Sequence, residues 1–149
     1  MAIQRTFAML KPGVLQRRIV GEVIARFEKK GLNLIGLKIM TISQALAAVH
    51  YEEHKGKSFY DELVSYISSG PVVAMAIEGD EAIQIVRRLC GPTKVTESTP
   101  GSIRGDYCLH TGNNIVHSSD SPESAERELR NFFQESELVS WEDGNASWF

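Results

Sequence analysis

The first hydrophobic run of the chain, Phe7-Ala-Met-Leu10, is stopped by Lys11-Pro-Gly13. A short apolar run bounded by turn formers predicts a buried strand over 6–10 that enters a turn. Val20, Val23, Ile24 and Phe27 then fall at i, i+3, i+4 and i+7, one face of a helix that Gly31 ends. Leu32 to Met40 returns to alternation with β-branched residues, which predicts a second strand. Ser43 is placed to cap a helix through about Tyr51. Beyond His54–Lys57, Phe59, Leu63, Val64 and Ile67 share one side of another.

Gly70-Pro71 breaks that helix, and Val72-Val-Ala-Met-Ala-Ile77 is the strongest strand signal in the chain. Asp80 reads as the cap of a helix through Cys90, with Ala82, Val86 and Leu89 inward. From Gly91 to Asp106 the period is lost among Gly, Pro, Thr and Ser, which predicts a long irregular loop of functional use. Asn114 to His117 reads as a fourth strand. Ser121 with Pro122 starts a last helix packed through Ala125, Leu129, Phe132 and Phe133. The order β-α-β-α-α-β-α-β-α fits a parallel doubly wound sheet. It fits equally a β-α-β-β-α-β antiparallel plan with two helices inserted between the second and third strands.

The 149 residues suit one domain. A net charge of −3 gives no basic surplus, which argues against a nucleic-acid partner. Two cysteines cannot build a disulfide framework. No apolar run nears the ~20 residues of a membrane span, and no secretory pattern is visible, so a cytoplasmic location is expected.

Candidate chemistry centres on His117, which stands where a strand gives way to Ser118-Ser-Asp120 and then a helix start. Backbone N–H groups at such a junction face anions, and a neutral imidazole offers a nucleophilic nitrogen. Glu128 lies at the margin of the last helix's buried face, where it can orient the ring. Lys11, Arg87, Lys94 and Arg104 fall near predicted turns that a fold can gather around phosphates. Gly56-Lys-Ser58 resembles the end of a P-loop, but the required earlier glycine is Tyr51 and no strand precedes it. His50-Tyr-Glu-Glu-His54 has the H-x-x-E-H spacing of a zinc peptidase, with no third ligand identifiable.

The segment Asn114-Ile-Val-His-Ser-Ser-Asp120 resembles the active-site signature of nucleoside diphosphate kinases. Arg5-Thr-Phe7, Lys11-Pro12, His50-Tyr51, Ser69 to Met75 and Pro100 to Asp106 extend the resemblance over nearly the whole chain. It implies an α+β, ferredoxin-like βαββαβ domain over 1–149, with a four-stranded antiparallel sheet and two inserted helices. It also implies ping-pong transfer of a γ-phosphate between nucleotides through a phosphohistidine on His117, supported by Glu128 and Ser119.

By the same resemblance Lys11 and Asn114 meet sugar hydroxyls, and Lys11 lies near the phosphates. Tyr51 helps hold Lys11 and the histidine region. His54, Arg87, Thr93 and Arg104 hold phosphates. Phe59 stacks on the base beside Thr111, with Leu63 also in the nucleotide site. Mg²⁺ arrives on the nucleotide, with no protein metal cage. The partners implied are nucleoside di- and triphosphates and further copies of the chain in a homohexamer. Residues 139–149, with Trp141, Trp148 and Phe149, form a docked tail. Three positions depart from the family pattern: Gly13-Val14 follows Lys11-Pro12, Ser118 follows the histidine, and Thr111 stands where an apolar residue is frequent.

Overall fold

The protein is described by a computed structural model covering residues 2–149. Four strands, β1 (Ile3–Leu10), β2 (Asn33–Thr41), β3 (Pro71–Asp80) and β4 (Val116–Ser118), form one sheet in the order β2-β3-β1-β4. Every neighbouring pair is antiparallel, so the antiparallel plan is the one adopted. Among the described residues seven α-helices surround it: α1 (Val14–Arg17), α2 (Val20–Lys29), α3 (Gln44–His50), α4 (Tyr60–Ile67), α5 (Ala82–Cys90), α6 (Ile103–Tyr107) and α7 (Pro122–Phe132). The two inserted between β2 and β3 are α3 and α4.

The central strands β1 and β3 are covered on both faces, which is why they read as unbroken apolar runs rather than alternating ones. Ala8, Leu10, Val73, Met75 and Ile77 face one way, onto Val23 and Phe27 of α2 and Ala82 and Val86 of α5. Phe7, Met9, Val72, Ala74 and Ala76 face the other way, with Ala47 of α3, Ile67 of α4 and Phe132 of α7. Each large apolar side chain buried this way contributes about 1.5–3 kcal/mol. Strand register therefore decides which residue of β4 meets which helix layer.

Local signals set several helix ends. Ser43 Oγ accepts the N–H of Leu46 at 3.1 Å and starts α3. Ser121 Oγ accepts the N–H of Ser124 at 3.1 Å, with Pro122 in the first position of α7. Gly31, at φ 100, ends α2 as the sequence predicts.

Other expectations are corrected. Asp80 does not cap α5; it closes β3, and its Oδ1 accepts the N–H of Ala2 at 2.7 Å. Glu81 is the N-cap residue, and Gln4 of β1 supplies the missing acceptor, taking the N–H of Ile83 at 3.2 Å. The loop from Gly91 to Asp106 is not structureless. A 3₁₀ turn at Val95–Glu97 is followed by α6, capped by Ser102 Oγ at Gly105 N–H. Asp106 accepts from Gly101 N–H at 2.8 Å and from Arg26 of α2 at 2.7 Å, which ties the loop to the body. Gly105 is required there, since a Cβ would lie 1.9 Å from the Thr99 carbonyl oxygen.

The end of the chain returns across the start of β2. Val139 N–H donates to Ile35 O at 2.7 Å and Trp141 Nε1 to Leu34 O at 2.9 Å, while Phe149 lies beside Gly31. Among the described residues no helix is long and apolar enough to cross a membrane.

Candidate active site

Strand register places the central histidine. His117 pairs with Met9, whose side chain belongs to the layer shared with α3, α4 and α7. Alternation sends His117 to that same face and its neighbours Val116 and Ser118 to the other. The strand runs one residue beyond the predicted His117, and Asn114 and Ile115 lie outside it. Ile115 has φ 60, an unfavourable left-handed conformation for a β-branched residue. It is held by the N–H of Lys11 donating to its carbonyl at 2.9 Å.

The capped start of α7 brings Glu128 under the ring. Glu128 is 4% exposed, with Oε2 at 2.8 Å from His117 Nε2. Its other oxygen, Oε1, accepts from Ser119 Oγ at 2.5 Å. Burial alone would raise the pKa of this carboxyl. Its hydrogen bond to His117, the charge on that ring and the Ser119 hydroxyl outweigh burial and hold it below the usual value. A carboxylate at Nε2 fixes the tautomer of a neutral His117: Nε2 carries the proton and Nδ1 keeps a lone pair. The His117 side chain is 22% exposed and lines the cleft described below.

The cations nearby are built into the backbone. Lys11 is buried, and its Nζ donates to Asn114 Oδ1 at 2.7 Å. Burial, then the positive charge of Arg104, lowers the amine to about 8. The family departure at Gly13 leaves Lys11 tightly held, because Gly13 takes φ 100 at the turn and donates its N–H to Gln16. Arg104, 3% exposed, donates to the carbonyls of Gly91 at 2.5 Å, Val116 at 2.6 Å and Asn114 at 3.4 Å. Burial lowers its pKa as well, but a guanidinium stays charged. Arg87 reaches over from α5 and donates to Ser118 O at 3.0 Å.

A cleft of about 190 Å³ gathers His117, Glu128, Tyr51, His54, Arg87 and Thr93. Lys11, Arg104, Asn114 and Ser119 are buried supports beside it. The Tyr51 hydroxyl has no hydrogen-bond partner among the described residues, and its ring packs on His50, centroids 4.6 Å apart. Phe59 is 43% exposed, with its ring centroid 5.5 Å from that of His54. Leu63 is half-buried in the α3/α4 layer. The Thr111 hydroxyl accepts the N–H of Val95 at 3.1 Å, linking two loop turns. Neither Leu63 nor Thr111 lines this cleft.

Arg127 and His50 also line the cleft, and the sequence reading places neither among the nucleotide-site residues. Arg127 stands one position before Glu128, and a helical wheel of α7 anchored on Glu128 would have found it. His50 is the other, and its position overturns the zinc-peptidase pairing. Helix α3 stops at His50, and a 3₁₀ turn follows over Glu52–His54, so the two histidines do not share a helical face. His54 instead lies 3.2 Å from Lys57 Nζ. His50 turns inward, with Nδ1 3.6 Å from Glu128 Oε2 and its ring centroid 4.6 Å from that of His117. Burial, then His117, lowers the His50 pKa to about 3, so its ring is neutral.

Arg104 and Arg87 differ in what they support, and unfolding separates them. Arg104→Ala strands three carbonyl acceptors and is expected to cost about 3 kcal/mol or more, a melting point lower by roughly 6–12 °C. Arg87→Ala releases one carbonyl at the cleft and is expected to stay within about 1 kcal/mol of the parent. Equal melting points for the two variants would contradict the assignment of Arg104 as a backbone latch.

The family model described as nucleoside diphosphate kinase matches residues 4–138. A nucleoside diphosphate kinase of Treponema pallidum is 56% identical over 149 residues, all of both chains. One from Sulfurisphaera tokodaii is 56% identical over 140 residues, 94% of this chain and 95% of the other. Among solved structures, a halophilic nucleoside diphosphate kinase from Halobacterium salinarum in complex with CDP superposes with a TM-score of 0.95. It is 45% identical and covers 99% of this chain and 98% of its own. With the sheet order, the His117–Glu128 pair and this agreement along its length, the chain belongs to the nucleoside diphosphate kinase family.

Proposed function

We propose that His117 Nδ1 accepts the γ-phosphoryl group of a nucleoside triphosphate and passes it to a nucleoside diphosphate. The observation that carries this reading is the buried Glu128 carboxylate on Nε2, which leaves Nδ1 as the nucleophile. In the first half-reaction the Nδ1 lone pair attacks phosphorus, and the bond to the β-phosphate oxygen breaks. The diphosphate leaves with that electron pair. The ring then carries positive charge, and Glu128 stabilises it through the retained Nε2 proton. In the second half, a terminal oxygen of the acceptor diphosphate attacks and the P–N bond breaks. The proton stays on Nε2 throughout, so the work of the site is placement and charge balance.

Lys11, Arg87 and Arg104 supply the positive charge for the phosphates, with His54 and Thr93 also holding them. Lys11 and Asn114, already paired, meet the sugar hydroxyls. Phe59 gives the base a flat face, flanked by Leu63 and Thr111. Stacking accepts any base, so discrimination between bases is low. Ser119 fixes Glu128, and Tyr51 fills the space beside His50.

Mg²⁺ enters as part of the nucleotide substrate. The nucleotide phosphate oxygens are the hard donors it prefers. The chain acts as one domain over 1–149, in the cytoplasm, with 139–149 as a docked tail. It assembles as a homohexamer, whose contacts would cover Leu37 and Ile39 on the free edge of β2, 52% and 65% exposed, and Trp148, 84% exposed. Light scattering reports that mass.

Two experiments test the mechanism. Incubation with γ-labelled ATP and no acceptor should put one acid-labile, base-stable phosphate on each chain, and His117→Ala should carry none. Label retained in His117→Ala would assign the phosphate elsewhere. The second reads Lys11, whose amine is charged below about 8 and neutral above. Catalytic efficiency should fall as pH rises through about 8, and Lys11→Arg, charged throughout, should lack that alkaline limb. A limb that persists near 8 in the arginine variant would show that another group titrates.

A further inference from the structure

Glu128 Oε2 lies 2.8 Å from His117 Nε2 and 3.6 Å from His50 Nδ1. One ligand atom from each of the three residues lies within 4.8 Å of the other two. His50 is a second, independent sign of a site. Its side chain is 1% exposed, and neither ring nitrogen has a hydrogen-bond partner among the described residues. A buried imidazole without a partner is uncommon, because an unmet polar group in the interior is costly. The distance to Glu128, 3.6 Å, is too long for a hydrogen bond but suits two atoms that share a metal ion.

We infer that His50, His117 and Glu128 form a binding site for a borderline divalent transition-metal ion of the zinc class, distinct from the Mg²⁺ carried by nucleotides. Two imidazoles and a carboxylate are the donors zinc takes, at bond lengths of about 2.0–2.2 Å. Ligand atoms in a tetrahedral zinc site stand about 3.3 Å apart, so the His117–Glu128 pair must open by roughly 0.5 Å and the His50–Glu128 pair barely moves. All three residues line the cleft that opens to solvent, so an ion has a way in, and water or a nucleotide phosphate oxygen can fill the fourth position. Arg87 and Arg127 also line it and oppose a cation, which keeps the affinity below that of a thiolate site.

Occupation has a chemical consequence, and this part rests on the mechanism proposed above. A metal on His117 Nε2 takes the lone pair at that atom, so the ring proton must sit on Nδ1. The metal therefore removes the nucleophile by switching the tautomer, without covering Nδ1. The reverse is weaker: a phosphoryl group on Nδ1 leaves Nε2 as the remaining basic ring nitrogen, so a metal arriving there has only to displace the proton shared with Glu128. Zinc bound at Nε2 therefore slows phosphorylation of His117.

The test uses the full chain, stripped by a chelator and titrated with Zn²⁺ against a chromophoric competitor, and with Co²⁺ for its visible absorption. One ion per chain with tetrahedral-strength cobalt bands is expected. Glu128→Gln, nearly the same in shape, and His50→Phe should each weaken binding about a hundredfold. Protein loaded with one Zn²⁺ should take up phosphate from γ-labelled ATP about tenfold more slowly than the stripped chain. Unchanged affinity in both variants would overturn the site, placing the ion on exposed donors. If the variants lose the ion while the zinc-loaded parent is phosphorylated as fast as the stripped chain, the metal site stands and the tautomer argument fails.

Discussion

The structure turns on one buried carboxylate. Glu128 is 4% exposed, and burial alone would favour its neutral form. It stays ionised because the His117 ring and the Ser119 hydroxyl both hydrogen-bond to it. An ion in such a place must be paired, or its desolvation would cost several kcal/mol. That requirement fixes the ring of His117, hence its tautomer and which nitrogen is free. Three separate pieces of the chain must agree for this to happen. The β1–β4 register turns His117 toward α7, the Ser121–Pro122 start sets the phase of that helix, and the end of α3 brings His50 against both.

The positive side of the site is built by similar means. Lys11 is tied to Asn114 by its side chain and to Ile115 by its backbone, so the left-handed residue before β4 and the cation after β1 hold each other. Arg104 joins the end of α5 to the entry of β4 through the carbonyls of Gly91, Asn114 and Val116. The same guanidinium thus maintains the loop and contributes charge beside the cleft. Strained and buried-cation features sit together here because the surrounding hydrogen bonds over-determine them. Preorganisation of this sort is what phosphoryl transfer needs, since it asks for fixed charge at the moment of reaction.

Much of this was legible in the sequence, and the reasons differ by element. The run Val72–Ile77 announced a strand because both its faces are buried, and Ser121-Pro122 announced α7 because capping is local chemistry. Family motifs marked His117, Glu128 and the cations. Pattern alone left the sheet's handedness of pairing open, since antiparallel order depends on contacts far apart in the chain. The start of α5 was misplaced because its acceptor is Gln4, 79 residues before Ile83. Helix α6 was hidden because five residues with one capping serine leave no periodic trace, and its anchor is Arg26 on another helix. His50 was read through i, i+4 spacing, which holds only while a helix continues, and α3 stops there.

The central claim is that Glu128 occupies Nε2 so that chemistry occurs at Nδ1 of His117. The most direct measurement is the isomer of the phosphohistidine. Protein with ¹⁵N-labelled histidine, phosphorylated by ATP without acceptor, gives nitrogen–phosphorus couplings by NMR that assign the phosphorylated ring atom. The account predicts phosphate on Nδ1, with Nε2 protonated. Phosphate found on Nε2 would mean that the carboxylate yields its place during the reaction, and would contradict the account.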